Sequence, residues 1–193
     1  MESNLVPNNL QAENQHSVHF YRDDHGLCDI VARFIGEGLK LDQPGIVIAT
    51  TAHRNAIARG LDIDGFDVER LRHTGDLLLL DARETLSGFL IGGKIDDACF
   101  RANVGRVIMQ AHRGREQTVV RAYGEMVDVL WKDGKPQSAI RLEVLWNDLA
   151  KKHRFSLLCG YAMGNFFRET TGAGFDDVCA QHNHVVSPAL ADA

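Results

Sequence analysis

Short apolar runs and longer stretches of helical periodicity alternate along this chain. Gly45–Thr50 and Asp76–Asp81 are continuous apolar runs without alternation, the pattern of parallel strands covered on both faces. Ser17–Arg22, Thr118–Tyr123 and Phe155–Cys159 complete the set of expected strands. Helical spacing occupies Leu27–Leu39, Ala52–Arg59 (capped by Thr51), Phe66–Arg72, Glu84–Leu90, Asp96–His112, Glu125–Lys132 and Pro136–His153. A short terminal helix is expected over Phe175–Val186. This order predicts an α/β fold, a mainly parallel sheet with helices on both faces. No repeat or composition shift divides it, so one domain is expected over residues 17–188, between a flexible lead (1–16) and a short tail (189–193).

The first strand and its turn sharpen the picture. In nucleotide-binding α/β folds the opening strand–turn–helix carries the phosphate loop. Here the turn carries Asp23 and Asp24 and no lysine, so a triphosphate would meet negative charge. The architecture resembles a nucleotide-binding one, whereas its chemistry points to a binding or sensory module.

Composition removes other classes. The chain has 193 residues, 45% of them hydrophobic, enough for one substantial core. A formal charge of −5 supplies no basic field for nucleic acid. Apolar runs such as Leu77–Leu80 are far too short to span a bilayer, and Met1–Gln15 is too polar for a signal peptide. The scattered Cys28, Cys99, Cys159 and Cys179 are then expected to be reduced, in the cytoplasm. Cys99 and Cys159 sit in apolar neighbourhoods and read as core residues.

In open parallel sheets, ligands collect at the carboxyl ends of the strands. The expected lining there is Tyr21–Asp24, Thr51–Arg54, Asp81–Glu84, Arg121–Glu125 and Gly160–Tyr161, a mixture suited to a small-molecule pocket. Other chemistries fit less well. Gly88–Lys94 has the spacing of a phosphate loop, but Ile95 replaces the Mg²⁺-binding hydroxyl and a helix precedes it. Gly92-Gly93 is better read as a turn between two helices. Cys179, His182 and His184 are chemically suited to Zn²⁺, with His16 or His19 as a further ligand, yet one short helix cannot aim all three at one ion. Surface histidines near a helix end are the favoured reading, and no cofactor is expected. Ser87 lacks the G-x-S-x-G context of a nucleophile, and an apolar strand-end Cys159 is expected to be inert. Arg121, within a central strand, is expected to need a buried carboxylate partner, Glu125 or Glu143.

Seven segments in order resemble a known family: His19–Asp24, Ile48–Arg54, Leu80–Leu86, Val120–Met126, Leu142–Asn147, Leu157–Tyr161 and Cys179–His184. The chain looks like a MEDS domain, a sensory domain of methanogens and methylotrophs, over about residues 17–188. The resemblance implies a RecA-like core similar to that of the circadian ATPase KaiC, with a degenerate phosphate loop. It also implies a sensory input that binds small organic compounds, of a kind often fused to histidine kinases or DNA-binding regions. A stand-alone domain without a fused output region is expected, with the signal passing to a separate signalling protein, such as a histidine kinase or transcription regulator, or through a homo-oligomer. Motif positions that also fall at expected strand ends give the candidate ligand contacts: His19, Tyr21, Asp24, His53, Arg54, Glu84, Arg121, Glu125 and Tyr161. The expected protein is a non-enzymatic cytoplasmic sensor, without nucleic acid or membrane as partner. The alternatives are a residual nucleotide-binding or hydrolytic enzyme using Asp81 or Glu84 with Mg²⁺, and a purely structural interaction module.

Overall fold

The computed structural model describes residues 15–115, 117–166 and 173–186. Most of the expected lead and all of the tail lie outside the described residues. The first half of the chain runs β1 (His16–Tyr21), α1 (Asp24–Leu39), β2 (Gly45–Ala49), α2 (Thr51–Ile63), α3 (Val68–Thr74), β3 (Leu77–Asp81) and α4 (Ala82–Ser87). A small hairpin, β4 (Leu90–Ile91) and β5 (Lys94–Ile95), precedes α5 (Asp97–His112), β6 (Val120–Gly124), α6 (Met126–Lys132) and α7 (Pro136–Ala150). β7 (Phe155–Ala162), a 3-10 turn at Met163–Asn165, α8 (Ala173–Ala180) and β8 (His184–Val186) follow.

Six strands form one sheet in the order β3-β2-β6-β7-β1-β8, and every pairing in it is parallel. Strand periodicity sorts the core into two layers. Ile46 and Ile48 face α4–α8 together with Val18, Phe20, Ala122, Leu157, Cys159 and Tyr161. Val47 and Ala49 face α1–α3 together with Tyr21, Tyr123 and Leu158. The expected α/β sheet with helices on both faces is therefore what forms.

Local chemistry sets the helix starts. Asp23, Asp67, Asp81 and Asp96 each stand at an N-cap and accept a backbone N–H from the first turn. Half of the acidic β1–α1 turn is thus a helix cap: Asp23 Oδ1 accepts from Gly26 N at 2.7 Å. Pro136 opens α7, where its missing N–H has no partner to lose. Thr51 lies inside α2, and the cap position belongs to Thr50, whose side chain makes no capping bond.

Three further sequence expectations about the fold are corrected. The terminal helix ends at Ala180, and His184–Val186 instead extends the sheet beside β1. Two consecutive β-branched valines suit a strand, and β1 offers an unpaired edge. Gly92-Gly93 does not join two helices. It is the two-residue loop of the β4–β5 hairpin, with φ of 58° and 79°, a conformation that glycine adopts without strain. β3 is not a strand buried on both sides: Leu77 is buried, but Leu78–Leu80 are half-buried, because β3 ends the sheet and has no outer neighbour among the described residues.

Candidate functional site at the carboxyl edge of the sheet

The carboxyl ends of β1, β2 and β6 bring a polar network onto the α1–α3 side. Glu125 follows the last residue of β6 and stands at the N-cap of α6; it is 1% exposed, and its Oε1 accepts the backbone N–H of Thr50. Its Oε2 lies 2.6 Å from His53 Nδ1 and accepts the Tyr123 hydroxyl at 3.0 Å. His53 comes from the first turn of α2, and its Nε2 lies 3.4 Å from Asp24 Oδ1 at the start of α1. The side chains of Glu125, His53 and Asp24 are 2%, 10% and 74% exposed, so the imidazole spans from the interior to solvent.

The electrostatics follow from that placement. The bond to Glu125 is the main reason the His53 pKa rises above 6.5, against burial and with help from Asp24. Burial opposes ionisation of Glu125, yet His53 and the Thr50 amide outweigh it and hold the carboxyl below its ordinary range. Burial, then the Glu125 charge, pushes the Tyr123 hydroxyl well up, so it remains a hydrogen-bond donor. Beside this trio, Tyr21 donates to Asp128 Oδ2 at 3.0 Å. Asp128 also accepts from Ala162 N and Asn165 Nδ2 and pairs with Lys132 at 2.7 Å.

A cleft of about 830 Å³ opens next to the network, along the outer edge of β3. Its floor is Leu79 and Leu80, and its walls carry Arg54, Arg72, Arg106, Asp81 and Glu84. Arg54 Nη1 reaches Asp81 Oδ2 at 3.3 Å, and Thr51 donates to the same oxygen. Three arginines facing two carboxylates suit a small polar or anionic molecule.

The expected site residues therefore separate. Tyr21, Asp24, His53 and Glu125 meet in the network, while Arg54 and Glu84 line the adjacent cleft. Three others lie elsewhere. His19 is buried in β1 with its ring on the Val186 carbonyl, and burial lowers its pKa. Arg121 stands near the amino end of β6, paired in register with Gly45, the first residue of β2. Its guanidinium packs over Phe34 and its Nε donates to Gln43 Oε1. A Cβ at Gly38 would collide with the Arg121 stem, which is why α1 needs glycine there. The carboxylates expected to pair with Arg121 are engaged otherwise: Glu125 with His53, and Glu143 with His16 and Tyr161. Tyr161 points to the other face of the sheet, where its hydroxyl donates to Glu143 Oε1 at 2.9 Å.

That face holds a second polar centre. His16, Glu143, Cys159 and His182 place one ligating atom each within 4.8 Å of one another. Of the three tail residues considered for metal, His182 belongs to this group and Cys179 and His184 do not. The Asp128 network and the Glu143 centre left the same trace in the sequence: an acid inside an apolar helical run, Met126–Trp131 and Leu142–Trp146. Both acids are buried. Cys159 left no trace beyond its apolar setting.

No described helix is long and apolar enough to cross a membrane. The chain matches no curated protein. A family model does match residues 15–183, that of MEDS, the methanogen/methylotroph, DcmR sensory domain. The match covers nearly the whole described sheet and both polar centres, and the chain belongs to the MEDS family of sensory domains.

Proposed function

We propose that this protein is a non-enzymatic sensor. A small polar organic molecule binds in the cleft beside β3, and the His53–Glu125 network transmits its presence. One observation carries this reading: the first turn of α2 supplies both Arg54, on the cleft wall, and His53, in the network. A ligand carboxylate or hydroxyl that draws Arg54 from Asp81 shifts that turn, and His53 is attached to it one residue away. The signal is a difference in affinity between two positions of the turn. It is read by a separate signalling protein, of the histidine-kinase or transcription-regulator kind, or by a second copy of the chain. The fold is read as a degenerate RecA-like core, since Asp23 and Asp24 occupy the β1–α1 turn where a phosphate loop would lie. Neither nucleic acid nor membrane is among its partners, and the chain works in the cytoplasm.

Calorimetric titration with a panel of short carboxylates, amines and alcohols tests the binding step. At least one compound is expected to bind, and Arg54→Ala to weaken it about tenfold or more through loss of a charge-assisted hydrogen bond. Binding that is unchanged in Arg54→Ala, or no binding across the panel, overturns the reading.

A further inference from the structure

The centre between the sheet and α7 has a chemistry that the sensory reading does not use. Its four members come from four places: His16 from the start of β1, Cys159 from the middle of β7, Glu143 from α7, and His182 from the link between α8 and β8. Glu143 Oε2 lies 3.1 Å from His16 Nε2 and 3.4 Å from Cys159 Sγ, and Glu143 Oε1 lies 3.4 Å from His182 Nε2. His16 Nε2 and Cys159 Sγ are also 3.4 Å apart. Bonds of 2.0–2.3 Å to a tetrahedral ion give ligand–ligand edges of about 3.3–3.8 Å, close to this spacing. The side chains of Glu143 and His182 are fully buried and that of His16 nearly so.

The hydrogen bonds around the imidazoles decide which atoms face inward. Asn147 Nδ2 donates to the Gln181 carbonyl, which turns Asn147 Oδ1 toward His16 Nδ1 at 2.8 Å. An oxygen there requires Nδ1 to carry the proton. His182 Nδ1 lies 2.7 Å from the Val178 carbonyl, which sets the same tautomer. Both rings therefore spend Nδ1–H on an outer acceptor and turn Nε2 inward, the arrangement of metal-ligating histidines. His182 Nε2 has no hydrogen-bond partner although it is buried. In their neutral forms two nitrogen lone pairs, a carboxylate and a sulfur converge on one point, with too few protons to satisfy them all. A cation at that point satisfies all four.

The structure assigns to His16, Glu143, Cys159 and His182 a closed divalent-metal site, with zinc as the ion whose ligand preference this set fits best. One sulfur, two nitrogens and one carboxylate oxygen are all established zinc donors, and four protein ligands leave no position for substrate. On binding, the Cys159 thiol gives its proton to solvent and the thiolate takes its place on the metal. The site is a staple: it fastens the α8–β8 segment, through His182, to the β1–β7–α7 core. It is independent of the cleft beside β3, so either can fail without the other.

The test uses the full chain purified without an affinity tag. Elemental analysis and native mass spectrometry are expected to find about one zinc per chain. Metal-free protein is then titrated with Co²⁺ and Zn²⁺. Co²⁺ is expected to give a thiolate charge-transfer band and the strong visible bands of a tetrahedral site. Cys159→Ser removes the charge-transfer band, and Asn147→Ala, which touches only the outer acceptor, weakens Zn²⁺ binding about 10–100-fold. Cys179→Ser and His184→Ala leave both readouts unchanged. A folded metal-free chain that takes up neither ion overturns the assignment, as does a cobalt spectrum that survives Cys159→Ser or is lost with Cys179 or His184. Should Cys159→Ser not fold, Asn147→Ala and the two tail variants still decide.

Discussion

Opposite faces of one sheet each carry a histidine–carboxylate centre, and the two solve the same electrostatic problem differently. On the α1–α3 side Glu125 is satisfied by a backbone amide, a tyrosine and one imidazole, and that imidazole reaches an exposed Asp24. Protons and water can adjust its charge. On the α4–α8 side Glu143 meets two imidazoles and a thiol with no solvent at hand. When their rings carry a second proton, His182 and then His16 hold the Glu143 carboxyl below the ordinary carboxylate range in spite of burial. In the proposed reading the first centre responds to solvent and to a neighbouring cleft, and the second holds distant segments together. Both carboxylates are buried, and what separates the two centres is that one imidazole reaches an exposed carboxylate while the other two face only the interior.

The largest expected effect tests that separation. Glu143→Ala takes the acceptor from the buried Tyr161 hydroxyl and removes the carboxylate that His16 and His182 face in a dry interior, and should cost about 3–5 kcal/mol in urea denaturation. Glu125→Ala leaves His53 with Asp24 and nearby solvent and should cost about 1–3 kcal/mol. Equal losses would break the comparison.

A smaller effect concerns pH. The raised pKa of His53 contributes stability that is complete below 6.5 and is lost as pH rises through the folded value. The lowered pKa of Glu125 contributes stability present above 4.5 and lost as pH falls through its folded value. The network should therefore stabilise the fold most between pH 4.5 and 6.5. Glu125→Gln should flatten the decline above pH 6.5, as read from urea midpoints across the range. A decline of unchanged slope in that variant would assign it to other groups. The smallest effect is at the exposed end: Asp24→Asn should change stability by less than about 1 kcal/mol and lower the His53 pKa, which an NMR titration reads directly.

Much of the fold was legible in the chain. Apolar runs such as Ile46–Ala49 announced parallel strands, whereas the aspartate caps of α3, α4 and α5 went unread. The acidic β1–α1 turn was visible too, although its meaning was partly local, since Asp23 caps α1. The reading failed where neighbours override propensity. Four leucines in β3 look like an interior strand but lie at the edge, and His184–Val186 becomes a strand because β1 has an open side. The polar network was legible in part: strand-end position grouped Tyr21, Asp24, His53 and Glu125, which meet there. It misplaced Arg121, which enters β6 at the opposite end, and Tyr161, whose side chain alternation turns to the other face.

Most of the order of strands and helices, the main parallel sheet and the membership of the MEDS family could be read along the chain, because periodicity and ordered motifs are local. Which polar residues share a centre depends on packing between segments far apart in the chain. His16 and Cys159 are 143 positions apart, and nothing in either neighbourhood names the other. Parallel pairing of β1 with β7, and the packing of α7 across them, bring these residues within bonding distance of Glu143 and His182.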